Sequence, residues 1–154
     1  MTNLFDMTGK TALITGGGGL LGPKHAEAII EHGGRAILAD WNESRAKEKA
    51  ETLGEKCSYE YINVVDRESI QRVVDKYEQI NILINNAAKD PKVTKDGGLT
   101  PDSRFETMTE DYWKEGIDAC VNGTFLCSQI VSNKMLQHGG GIILNISSDL
   151  GVIA

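Results

Sequence analysis

Apolar residues along this chain follow two rhythms. Short, nearly continuous runs recur at Thr11-Ala12-Leu13-Ile14, Ala36-Ile37-Leu38-Ala39, Tyr59-Glu60-Tyr61-Ile62-Asn63-Val64, Ile80-Asn81-Ile82-Leu83-Ile84 and Ile142-Ile143-Leu144-Asn145-Ile146. Between them, polar stretches carry an apolar residue every three or four positions. The first rhythm predicts strands and the second predicts helices buried by one face. Capping and stop residues agree. A helix with Ala26, Ile29 and Ile30 ends at Gly33-Gly34. Asn42 caps the next, which carries Ala46, Ala50 and Leu53 and stops at Gly54. Asp66 caps a helix with Ile70, Val73, Val74 and Tyr77 on one face. Thr109 caps a long helix over 109–137, with Trp113, Ile117, Val121, Thr124, Phe125, Ser128 and Val131 at helical spacing and Gly139-Gly140-Gly141 at its end. Strands alternating with helices predict an α/β fold, a doubly wound parallel sheet with helices on both faces.

One interval breaks the rhythm. Residues 89–108 are polar and aperiodic, with Pro91, Pro101 and Gly97-Gly98. So long a segment is more than a plain connector, and it follows the end of a strand where ligands bind. No repeat, low-complexity tract or linker divides the chain, so residues 1–154 read as one domain.

The first strand runs into Thr15-Gly16-Gly17-Gly18-Gly19-Leu20-Leu21-Gly22, and a helix follows directly. Gly17, Gly19 and Gly22 fit G-x-G-x-x-G between a strand and a helix, and the second strand stops at an acid, Asp40. Together these parts make a dinucleotide-binding fingerprint. Glycines let the backbone turn and approach a pyrophosphate, which sits on free amides at the positive end of the helix. The competing phosphate loop, G-x-x-x-x-G-K-[ST], fails because Pro23 stands in the lysine position. A carboxylate at Asp40 accepts both adenosine ribose hydroxyls and repels a 2′-phosphate. Trp41 and Asn42 add no positive charge, and Arg45 lies a helical turn further on. NAD is expected over NADP.

Composition narrows the partners more than the fold. The 154 residues are 40% hydrophobic and 25% charged, ordinary for a soluble domain, and a net charge of −6 argues against nucleic acid or an anionic membrane. No apolar run approaches the ~20 residues of a bilayer span, and no basic-then-apolar leader opens the chain. Cys57, Cys120 and Cys127 are odd in number and lack metal-ligand spacing, so reduced thiols in a cytoplasm are expected. His25, His32 and His138 are too scattered for a zinc site or a histidine triad, and no metal is expected.

The chain resembles the short-chain dehydrogenase/reductase family over its whole length, from Lys10-Thr11-Ala12-Leu13-Ile14-Thr15-Gly16 to Asn145-Ile146-Ser147-Ser148. The resemblance implies a nicotinamide-dependent oxidoreductase on a Rossmann-like sheet, with strand order 3-2-1-4-5 for the part present. Asn85-Asn86-Ala87-Ala88 matches the family's N-N-A-G, with Ala88 in place of the glycine, and would line the adenosine side of the cofactor. Asn63-Val64 falls where the family has Asp-Val against the adenine at the end of the third strand. The resemblance therefore assigns Gly16, Gly18, Gly19, Leu20, Leu21, Asp40, Trp41, Asn63, Val64, Asn86, Ala87 and Ala88 to the cofactor. Ser148 aligns with the catalytic serine, which bonds the substrate's oxygen; Ser147 is the nearby alternative.

Departures from the family pattern matter as much. Leu20 occupies a glycine position, and Thr15-Gly16-x-x-Gly19-x-x-Gly22 instead fits the spacing of the extended subgroup. Cys120 stands where the family has an asparagine in a proton relay, and Asn122 is about half a turn away. The family's catalytic tyrosine, and the lysine four residues later, have no counterpart in residues 149–154. The chain is therefore expected to be the N-terminal part of a longer enzyme, truncated at its C-terminus. That enzyme would move hydride between NAD and a secondary alcohol or ketone. Leu20-Leu21-Gly22-Pro23-Lys24-His25 and Ala39-Asp40-Trp41-Asn42 resemble members linked to bacterial surface-polysaccharide or flagellin-glycan synthesis, which implies a sugar-derived small-molecule substrate. The alternative is a non-catalytic dinucleotide-binding module or an inactive fragment. Ending at the fifth strand would leave an open apolar edge and an unpartnered helix face. The resemblance also implies a homo-oligomer, since family members usually form dimers or tetramers partly through the long helix, here 109–137.

Overall fold

A computed structural model describes residues 4–90 and 94–148. Five parallel strands form one sheet in the order β3-β2-β1-β4-β5. In chain order they are β1 (Thr11–Thr15), β2 (Arg35–Asp40), β3 (Cys57–Tyr61), β4 (Ile82–Asn85) and β5 (Ile142–Asn145). The helices between them are α1 (Gly22–Glu31), α2 (Glu43–Leu53), α3 (Arg67–Asp75), α4 (Glu110–Ile117) and α5 (Gly123–Gln137). Alternate residues of the central strands serve opposite layers. Leu13, Ile37 and Leu83 pack with α3 and α5 through Ile70, Val73, Val74, Ile130 and Val131. Ile14, Leu38 and Ile84 pack with α1 and α2 through Ala26, Ala46 and Ala50. Both faces of β1 are thus sealed, which explains why its sequence is a continuous apolar run.

Register fixes which strand ends meet. Thr15 lies opposite Ala39 on one side, and Ile14 lies opposite Ile84 on the other. The carboxyl ends of β2, β1 and β4 therefore rise together at the middle of the sheet, and strand order reverses there. In an open α/β sheet such a reversal leaves a crevice for a ligand.

The capping expectations hold in detail. Asn42 Oδ1 accepts the amide of Arg45 at 3.2 Å, Asp66 Oδ1 that of Glu68 at 2.9 Å, and Thr109 Oγ1 that of Tyr112 at 3.1 Å. Gly54, at φ 83°, closes α2. Two expectations need correction. The third strand occupies Cys57–Tyr61 rather than running on to Val64. Asn63 ends it, because its amide bonds Ser69 Oγ at 2.9 Å while its Oδ1 and carbonyl take the amides of Val65 and Asp66. The long helix is also not uniform. A π-helical stretch, Asp118–Asn122, separates α4 from α5, and the extra residue per turn changes which side chains face the sheet. Gly123, Cys127, Ile130, Val131 and Met135 are buried, whereas Trp113, Val121 and Phe125 stay more than half exposed. β5 forms one edge of the described sheet, and its apolar residues are exposed.

Candidate functional site

Three buried polar residues end the three neighbouring strands at the switch point: Asp40 on β2, Thr15 on β1 and Asn85 on β4. Each makes hydrogen bonds, although Asn85 Oδ1 is buried with no partner among the described residues. Thr15 Oγ1 donates to the carbonyl of Ile84 and accepts the amides of Asn86 and Ala87, both at 3.1 Å. Asn86 Nδ2 donates to the carbonyls of Thr15 and Gly16, at 3.0 and 3.2 Å. Asn85 Nδ2 donates to Ser128 Oγ and Asn145 Oδ1. The sequence assigned Asn86 to the cofactor; its amide group is spent on tying β4 to the start of the glycine loop.

The loop itself is a cradle that side chains would fill. Gly16 has φ 66°, and a Cβ there would lie 2.8 Å from Ala87 Cα. A Cβ on Gly22 would lie 2.7 Å from Gly17 Cα and 2.8 Å from the carbonyl of Gly16. Both obstacles are backbone, so neither can yield cheaply. Internal bonds take the amides of Gly17, Gly18 and Gly19, on the carbonyl of Ala39, on Asp40 Oδ2 and on the carbonyl of Gly16. No hydrogen bond among the described residues engages the amides of Leu20 and Leu21. These stand at the N-terminus of α1, whose first turn contains Pro23 and so lacks one donor. Two free amides at the positive end of a helix can accept an anion, and the glycines before them would give such a seat its shape rather than its donors.

Beside the loop opens a cleft of about 640 Å³. Gly16, Asp40, Trp41, Asn63, Val64, Ala87 and Ala88, all expected from the sequence, line it. Trp41 is 77% exposed, and Asn63 and Val64 enter from the turn after β3. The opposite wall was not foreseen. Lys89, Glu115, Asp118 and Ala119 come from the segment after β4 and from the α4–π junction. Lys89 Nζ pairs with Glu115 and lies 3.8 Å from the centre of the Tyr112 ring. Asp118 Oδ1 accepts Asn122 Nδ2 at 2.7 Å, which gives that displaced asparagine a structural partner. Glu115 and Asp118 share a helical face by their spacing, but nothing in the sequence said which strand ends that face would oppose. The aperiodic interval carries local order: Thr94 and Gly98 close a turn, and Ser103 Oγ bonds Tyr112 OH at 3.3 Å.

Ser148 and Ser147 lie exposed beyond β5, and neither lines the cleft. The amide of Ile146 bonds the carbonyl of Asn85, so the chain is still anchored to β4 as it approaches these serines. They therefore project from the same carboxyl edge of the sheet as the cleft. Residues 149–154 lie outside the described residues. Cys120 is exposed within the π-helical stretch, and its carbonyl accepts Thr124 Oγ1 at 2.8 Å.

Comparison with known proteins decides the lineage. The family model for short chain dehydrogenases matches residues 10–154. The chain belongs to the short-chain dehydrogenase family. An uncharacterized oxidoreductase of Thermotoga maritima is 31% identical over 153 residues, covering 96% of this chain and 57% of that protein. An NAD-dependent glycerol dehydrogenase of Listeria innocua is 29% identical, covering 97% of this chain and 57% of that protein. The crystal structure of a short-chain type dehydrogenase/reductase from Mycobacterium marinum superposes with a TM-score of 0.84 at 26% identity, over 97% of this chain and 60% of that one. This short-chain dehydrogenase unit thus spans little more than half the length of the relatives it matches. Nicotinamide dinucleotides are the cofactors of the family, and the cradle, anion seat and cleft described here fit one. No helix of the described residues is long and apolar enough to cross a membrane.

Proposed function

We propose that this chain is the NAD-binding part of a short-chain dehydrogenase/reductase that moves hydride between the nicotinamide and a secondary alcohol or ketone. The observation that carries the reading is a cleft lined by Asp40 and by Gly16, the first residue of a glycine loop whose Leu20 and Leu21 amides are open. The amides would take the pyrophosphate and Asp40 the adenosine ribose, with Trp41, Asn63 and Val64 around the adenine. Bound there, the cofactor supplies the site that accepts or releases hydride. Asp40 remains unneutralised by an ion pair among the described residues, which supports NAD over NADP because a 2′-phosphate would meet its charge.

Ser148 would hold the substrate oxygen by a hydrogen bond. The activity is proposed for the protein that joins this unit to a tyrosine and a lysine of the family type. A polar, sugar-derived substrate fits the sequence resemblance, and the Listeria relative carries the name of an NAD-dependent glycerol dehydrogenase. The exposed Trp113 and Phe125 support a homo-oligomer formed through the α4–α5 face.

Titration of the chain with NAD and NADP, read by Trp41 fluorescence and by calorimetry, tests the reading. NAD should bind at least about tenfold more tightly, a difference of about 1.4 kcal/mol. Equal binding, or a preference for NADP, would remove the role given to Asp40. No binding of either would leave the inactive-fragment alternative.

A further inference from the structure

We infer that Asp40 positions the diphosphate loop as well as meeting the ribose, so that the two halves of the cofactor site stand or fall together. The inference rests on the dinucleotide reading above. Asp40 is 7% exposed. Its Oδ2 accepts the amide of Gly18 at 2.9 Å, and its Oδ1 accepts the amide of Asn42 at 2.8 Å. Gly18 lies in the middle of the glycine loop, and Asn42 caps α2. One buried carboxylate therefore holds the loop and the start of a helix at once.

Among the described residues, three bonds spend the amides of Gly17, Gly18 and Gly19, and Asp40 makes the only one of them that uses a side chain. The loop also rests against its neighbours here. A Cβ on Gly18 would lie 2.9 Å from Arg45 Cβ and 3.2 Å from Asp40 Oδ2. A carboxylate suits the position because both oxygens only accept, and charge strengthens bonds to backbone amides. An asparagine of the same shape would present an acceptor to one amide and an NH2 group to the other, donor against donor. A carboxylate has about four acceptor directions, so two amide bonds leave capacity for ribose hydroxyls. Asp40 then contributes to the affinity for a diphosphate that lacks those hydroxyls. Exchanging it to admit a 2′-phosphate would loosen the loop that binds every dinucleotide.

ADP and 2′,3′-dideoxy-ADP differ only in the ribose hydroxyls, and calorimetric titration of both into the chain and into Asp40→Asn separates the two roles. If Asp40 acts through the loop, the variant binds dideoxy-ADP roughly three- to tenfold more weakly than the unaltered chain does. A loss confined to ADP, with dideoxy-ADP affinity unchanged, would overturn the positioning role and keep the ribose role. Failure of the unaltered chain to bind ADP would overturn the dinucleotide reading and this inference with it. Residue-resolved amide exchange needs no variant. Without ligand, the Gly18 amide should be protected, while those of Leu20 and Leu21 exchange freely and gain protection when ADP is added. A Gly18 amide as fast as those of Leu20 and Leu21 would overturn the inference.

Discussion

Gly22 concentrates the demands that the site places on single residues. It begins α1, and the space where a Cβ would sit belongs to the backbone of Gly16 and Gly17. Gly22→Ala must push the loop off the helix, at a cost of roughly 1–3 kcal/mol by overpacking. Chemical denaturation should register that loss, and dinucleotide affinity should fall with it; wild-type values for both would mean that the loop is softer than its contacts imply. The thiols offer a second probe. Burial pushes Cys57 up to about 11 and Cys127 up to about 12, from an ordinary value of 9.0, while Cys120 is exposed. A thiol whose value is raised in the folded state favours folding fully below its unfolded value. That stabilisation is lost as pH rises through the folded one. Alkaline titration of stability should therefore show a decline beginning near pH 9 and continuing towards pH 12. At pH 8 a disulfide reagent should modify exposed Cys120 fastest, half-buried Cys57 more slowly and buried Cys127 only on unfolding. Three equally fast thiols in the native chain would contradict the burial of Cys127 and the partial burial of Cys57.

Local rules that act through nearest neighbours in sequence survive folding, and those that depend on distant packing do not. Caps at Asn42, Asp66 and Thr109 were legible because a side-chain oxygen and the amide two or three residues on are always within reach. Thr109→Ala should therefore lower stability by about 1 kcal/mol in thermal unfolding, with no shift if the α4 end is held by tertiary contacts alone. The glycine loop and Asp40 were legible for a similar reason, since turn, helix and acid follow one another along the chain. The π-helical stretch was not. Residues 118–122 have ordinary helical spacing, and Gly123, which follows them, packs against Val64, 59 positions earlier in the chain. Nor was the second wall of the cleft, which Lys89, Glu115 and Asp118 build from separate elements. Their roles depend on where α4 lies across the sheet, a tertiary fact.

Taken as one body, the molecule directs its chemistry to the carboxyl edge of a parallel sheet and leaves another part of its surface apolar. Phe125 and Trp113 are exposed on the α4–α5 side, and Ile142 and Leu144 on β5 are also uncovered. Apolar surface of this kind marks an interaction site or an aggregation hazard. Sedimentation should accordingly show self-association that grows with concentration and weakens in Phe125→Glu; a monomer at every concentration would reject the α4–α5 face as an interface. The site account is tested most directly by following backbone amide resonances as NAD is added. Shifts should gather at residues 16–22, at Asp40 and Trp41, at residues 63–65 and at residues 87–89, with Leu20 and Leu21 among the most affected. Shifts that instead gather on the exposed face of α5, or that leave residues 16–22 untouched, would contradict the assignment of this cleft to the dinucleotide.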